Sequence, residues 1–120
     1  MHLKILLVIP TFYPSLTYGG PIISSYNLCK ELIKNKISLT VITTNQNGKK
    51  RLNYKPNIKH NINGIEVIYF NNSKILSKIY YSYEMKKFID QNITKYDIVH
   101  LHSIFTWPIY YAFKKAYANN

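Results

Sequence analysis

The sequence predicts an α/β fold, a parallel sheet with helices on both faces. Three observations carry it. Short, continuous, branched apolar runs such as Ile5–Ile9 read as strands buried on both sides. Stretches with helical spacing alternate with them. The resulting order is β-α-β-loop-β-α-β-α, in which each crossover joins parallel neighbours. The strand order expected is 3-2-1-4.

His2–Pro10 is the first strand, closed by proline. Pro10–Gly20 is a loop. Pro21 suits a first helical position, where its missing N–H costs nothing. Ile22, Tyr26, Cys29 and Ile33, joined by Leu32, then fall on one helical face, and Asn35-Lys36 ends the helix. Ile37–Thr44 is the second strand, with Ile37, Leu39 and Val41 facing one way. Asn45–Asn63 is polar, basic and Asn-rich, and reads as a long loop. Gly64–Phe70 is the third strand. Ser73–Ile93 reads as a helix whose stripe is Ile75, Ile79, Met85, Phe88 and Ile89. Asp97–His102, "DIVHLH", is the fourth strand, and Trp107–Ala118 the last helix.

A chain of 120 residues with 47% apolar content fits one folded domain with a modest core. Lys4 before Ile5–Ile9 has the flavour of a signal peptide. The apolar region is short, however, and no small-residue cleavage site follows, so a cytosolic location is the default. The run is also too short to span a bilayer. The lone Cys29 excludes an internal disulfide framework and a CxxC site. The net charge of +11 fits nucleic acid, an anionic membrane or phosphorylated substrates. Nearly all of it is lysine, with Arg51 the only arginine, amid abundant Asn, Ile and Tyr. An AT-rich genome would produce the same mixture, and both readings stay open.

The stretch "PTFYPSLTYGGPI" places two of the four glycines, Gly19 and Gly20, just before a helix. In a parallel sheet, ligands bind beyond the carboxyl ends of the strands where strand order reverses, and this loop lies there. Glycines let a ligand approach the backbone, and a helix N-terminus favours an anion such as phosphate. A plain connecting turn would need the same residues, so spacing leaves both readings standing. GxGxxG and the Walker A pattern are absent, and Thr43-Thr44-Asn45 stands where a ribose-binding acid would end the second strand. Nicotinamide and ATP readings are therefore weak.

The segment "KILLVIPTFYPSLTYGGPIISSYNLCKELIKNKISLTVITTN" resembles the opening of a family 4 glycosyltransferase of the two-domain GT-B fold. "YDIVHLHS", Tyr96–Ser103, resembles the family's fourth strand, D-[IV]-[VI]-H-x-H. "GIEVIYF" lies between them as the third strand. Each motif is short, and the ordered set carries the resemblance over most of the chain. The family's glycine and histidine at the first helix end are absent here, where Asn35-Lys36 stands.

The resemblance implies a Rossmann-like N-terminal, acceptor-side domain, residues 1–120. It places a fifth strand and the family's histidine after Asn120, so no catalytic residue is expected in this chain. The C-terminal donor-binding domain would also lie outside it, and the isolated chain is expected to be inactive. By analogy, Tyr18, Gly19, Gly20 and Pro21 would form the loop that meets donor diphosphate and acceptor, while His102 and Ser103 would line the acceptor side. The implied reaction is retaining transfer, without a cofactor or metal, from a nucleotide sugar to a glycan or lipid-linked acceptor of surface polysaccharide synthesis. An anionic membrane surface is a further implied partner, through Lys49–Lys59 and the segment Ile79–Lys87, at the cytoplasmic face.

The remaining residues limit the alternatives. Strand alternation puts His100 and His102 on one face. His100, one step deeper, reads as a satisfied structural histidine, and the same reading stays open for His102. No further ligands accompany the His-x-His pair for a metal. His2 and His60 carry no signal. Glu31, Glu66, Glu84, Asp90 and Asp97 form no acid/base pair by spacing, which argues against a glycosidase-like mechanism. One rival is a non-catalytic Rossmann-like sugar- or nucleotide-binding module. The other, a nucleic-acid binder, lacks every recognised signature and has one arginine; no nucleic acid is expected.

Overall fold

The computed structural model describes residues 3–103 and 106–119, so Met1, His2, Ile104, Phe105 and Asn120 lie outside the described residues. The elements are β1 (Lys4–Val8), α1 (Gly20–Lys34), β2 (Ser38–Thr44), β3 (Gln46–Asn47), β4 (Lys50–Arg51), β5 (Lys59–Ile62), β6 (Ile65–Phe70), α2 (Tyr83–Asn92), β7 (Ile98–Leu101) and α3 (Trp107–Ala118). The main sheet runs β5-β6-β2-β1-β7. Its four parallel strands, β6, β2, β1 and β7, stand in the expected 3-2-1-4 order. The fold is a Rossmann-like α/β sheet.

Strand alternation divides the interior in two. Ile5, Leu7 and Ile9 of the first strand and its exit join Leu39, Val41, Val67 and Tyr69 beneath α1, with Cys29 in that core. Leu6 and Val8 face the other way and join Ile42, Ile68 and Phe70 beneath α2 and α3, which supply Met85, Ile89, Ile109 and Ala112. Both faces of β1 are thus dry, as its unbroken apolar run requires.

Two expectations are corrected. The segment expected as a loop, Asn45–Asn63, contains three short strands. β3 and β4 form a small antiparallel ribbon, and β5 pairs antiparallel with β6. The β5–β6 turn is Asn63-Gly64, with φ of 53° and 93°. Two successive positive φ values are what a tight hairpin turn demands, and Asn-Gly supplies them cheaply.

The helix expected over Ser73–Ile93 begins only at Tyr83. Ser82 takes the N-cap position, its Oγ accepting from the Met85 N–H at 3.3 Å. Upstream, Ser73 Oγ accepts from the N–H groups of Ile75 and Leu76, and Tyr80 turns left-handed at φ 60°. Local side-chain bonds at Ser73 and a single 3-10 turn, Ser77–Ile79, therefore replace α-helix over 73–81. Ile75 and Ile79, expected in a buried stripe, are 93% and 44% exposed.

Candidate functional site

The loop leaving β1 is fixed by its aromatic residues. Phe12 is fully buried. The Tyr13 ring stacks on Tyr26 of α1 at 4.4 Å, and the Tyr13 carbonyl accepts from the Tyr69 hydroxyl. A cis peptide joins Tyr13 to Pro14, and a single 3-10 turn, Leu16–Tyr18, follows. Ser15 is buried, its Oγ 3.0 Å from Asn47 Oδ1, and Thr17 Oγ1 donates to the same oxygen at 2.9 Å. The Tyr18 hydroxyl accepts from the Gly48 N–H at 3.0 Å, tying the loop to the β3–β4 ribbon. It also faces Tyr80, whose own hydroxyl is pushed above its ordinary pKa by burial and by Tyr18.

Gly19 and Gly20 differ in kind. Gly19 holds φ 74° and ψ −136°, a conformation closed to residues with a Cβ, and caps α1. Gly20 is the first residue of α1, with Pro21 beside it, and has no positive φ. A Cβ on either glycine would meet nothing within 4 Å. The space in front of both is open. No side chain caps the first turn of α1 and no acidic residue stands in it, which leaves this end electropositive.

His102 follows β7. Its N–H donates to the Val8 carbonyl at 2.9 Å, which sets it beside the exit of β1. In register Leu7 pairs with His100, so both histidines share the α1 face of the sheet. Their rings stack with centroids 5.8 Å apart. Burial, and then the charge of His100, holds the His102 imidazole below its ordinary pKa. His100 itself is exposed, with its ring against that of His102. The reason is position: β7 is an edge strand, and α1 lies over β2 and β6. Ser103 has φ 135°, a strained backbone for a residue with a Cβ, directly after the histidine pair.

Sequence reasoning missed the amides at the ends of β2 and β6. Asn45 Nδ2 donates to Asn71 Oδ1, and the Asn72 N–H donates to Asn45 Oδ1. Asn72 Nδ2 donates to Gln46 Oε1, and Arg51 reaches Asn71 Oδ1 and the Asn72 carbonyl. The pattern Thr-Thr-Asn-Gln-Asn after one strand and Phe-Asn-Asn after another was the available signal. The loops after β1, β2 and β6 therefore form one braced rim at the carboxyl edge, with Gly19, Gly20 and His102 along it. Among the described residues no group of three metal-binding side chains gathers.

Residues 18–118 match the sequence model described as Glycosyltransferase Family 4. The chain belongs to glycosyltransferase family 4. No curated protein and no solved structure matches it. The family 4 match begins at Tyr18 and runs through Gly19, Gly20, Pro21, His102 and Ser103. No helix among the described residues of this family 4 chain is long and apolar enough to cross a membrane.

Proposed function

We propose that this domain is the acceptor-side half of a two-domain, retaining glycosyltransferase that moves a sugar from a nucleotide-sugar donor to a glycan or lipid-linked acceptor in surface polysaccharide synthesis. The observation that carries this reading is the open space before Gly19 and Gly20 at the uncapped N-terminus of α1. The helix end offers partial positive charge to a diphosphate without a metal. Gly20 leaves room for it, and Tyr18 holds the loop in place through Gly48. His102, kept neutral by burial at neutral pH, is able to accept a hydrogen bond from a sugar hydroxyl. The chemistry falls at the cytoplasmic side, where nucleotide sugars are available.

Titration of the isotope-labelled chain with a nucleotide sugar, and separately with a polyprenyl-diphosphate sugar, tests this. Backbone amide signals of Gly19, Gly20 and Ile22 are expected to shift with the diphosphate, and those of His102 and Ser103 with the acceptor. Shifts confined to other surfaces, or none at all, overturn the reading.

A further inference from the structure

We propose that the chain pairs with a second copy of itself through the outer edge of β7 and the aromatic face of α3 beside it, forming a two-fold dimer with a continuous sheet. The two edges of the main sheet differ. β5 at one edge reads Lys59-His60-Asn61-Ile62, and a lysine and an amide are what keep a free edge from pairing. β7 at the other reads Ile98-Val99-His100-Leu101, with no lysine, carboxylate or proline. In a parallel pair, alternate residues of a strand bond the same neighbour. The His102 N–H donates to Val8, so His100 and Ile98, in the same phase, also turn toward β1. Val99 and Leu101 then turn their N–H and C=O groups outward, where no other strand among the described residues stands. Their side chains lie on the α3 side of the sheet. They line a groove of about 350 Å³ together with Ile93, Tyr96, Phe113 and Tyr117. The Phe113 and Tyr117 rings lie 6.0 Å apart and are 57% and 77% exposed. An unpaired edge and an apolar face thus coincide along one side of the molecule, unlike the scattered apolar residues common on any protein.

Register selects the occupant. An antiparallel copy with the two-fold axis at His100 sets Val99 opposite Leu101 of the second copy, and Leu101 opposite its Val99. These are the residues whose main-chain groups point outward, so each pair exchanges both hydrogen bonds. The same register sets His100 against the second copy's His100 without main-chain bonds, and Ile98 against its His102. Apolar side chains meet on the α3 side, and no lysine or carboxylate faces its like. Such a contact closes after two copies, because each copy spends the same edge. A strand this short falls below the roughly 800 Å² per partner of a stable interface, and α3 supplies the rest. Phe113 and Tyr117 are the aromatic residue types that interfaces favour. The net charge of +11 makes the copies repel, so salt should strengthen the pairing. Pairing does not depend on the chain handling a sugar, and its failure would leave the proposed transfer untouched.

Sedimentation equilibrium of the 120-residue chain tests this. A monomer–dimer equilibrium is expected, tighter at about 0.5 M salt than at low salt. Ile98→Lys puts a lysine on the edge, and Tyr117→Ser truncates an exposed ring of α3. Each should raise the dimer Kd roughly tenfold. Ile23→Ser, at 53% exposure on α1, should leave it unchanged. Cross-linking reads the register. In a non-hydrogen-bonded antiparallel pair the Cα atoms stand about 4.5 Å apart, within disulfide reach. His100→Cys should therefore give a covalent dimer under mild oxidation, and Ile98→Cys should not. Cys29 is buried and does not interfere. An unchanged Kd for Ile98→Lys, an equal loss from Ile23→Ser, or cross-linking of Ile98→Cys in preference to His100→Cys overturns the proposal. Growth beyond the dimer overturns it in favour of open-ended association. A monomer at every concentration overturns it and leaves the edge to a strand from outside residues 1–120.

Discussion

Asn45 and Asn72 clasp each other across the ends of β2 and β6: the Asn72 N–H donates to Asn45 Oδ1 at 3.0 Å, and both residues are buried. Asn45→Ala removes that acceptor and also the donor to Asn71. A buried N–H left unpaired costs about 1–3 kcal/mol, so the urea midpoint should fall by a corresponding amount. Asn45→Asp keeps the acceptor and should lose less. A midpoint unchanged by Asn45→Ala would show that water replaces the bond at no cost.

The two glycines should respond differently. Gly19→Ala forces a Cβ into a backbone region reserved for glycine and should destabilise by about 1–3 kcal/mol. Gly20→Ala enters open space on a helical residue and should be neutral or stabilise by up to about 1 kcal/mol, through the unfolded chain. In an enzyme carrying this domain, Gly20→Val should reduce catalytic efficiency by an order of magnitude or more at an unchanged thermal midpoint. If efficiency and midpoint fall together, the glycine pair serves the turn alone.

His102 should leave a trace in the acid limb of stability. Its folded pKa lies below the ordinary value of 6.5, so the unfolded chain binds more protons across that interval. Stability is then undiminished above the unfolded value and falls as pH drops through it toward the folded one. His102→Gln should flatten the decline in thermal midpoint as pH falls below about 6.5. An identical pH profile for both proteins would assign the slope elsewhere.

Cys29 is fully buried, and burial pushes its thiol up to about 12. At neutral pH it carries almost no thiolate. Labelling by iodoacetamide should follow global unfolding, slow in buffer and complete in denaturant. Fast labelling of the native chain would place Cys29 outside the core.

The parallel sheet was legible because its strands are apolar on both faces and its first helix has one clear stripe. Three features were not. The β5–β6 hairpin was hidden in a polar stretch, although Asn63-Gly64 between Ile62 and Ile65 is a strong turn signal. Ile75 and Ile79 fit helical spacing and so suggest an earlier start for α2, while Ser73 and Ser82 compete through their hydroxyls. The exposure of His100 depends on how far α1 reaches across the sheet, which no local pattern encodes. At the site, the glycine pair and His102 stood out by position. The amides that brace them gave only the faint signal of repeated Asn after strand ends.

The bracing of the rim also bears on how tightly anything can be held there. Flexible loops surrender conformational entropy when they close on a guest, and that loss subtracts from affinity. Here Asn45, Asn47, Asn72 and Tyr18 have already joined the loops to one another as the chain folds. A guest reaching Gly20 meets a socket whose shape precedes it. Selectivity at this edge should therefore come from fit to a fixed outline, with small, uniform entropy losses across a ligand series measured by calorimetry.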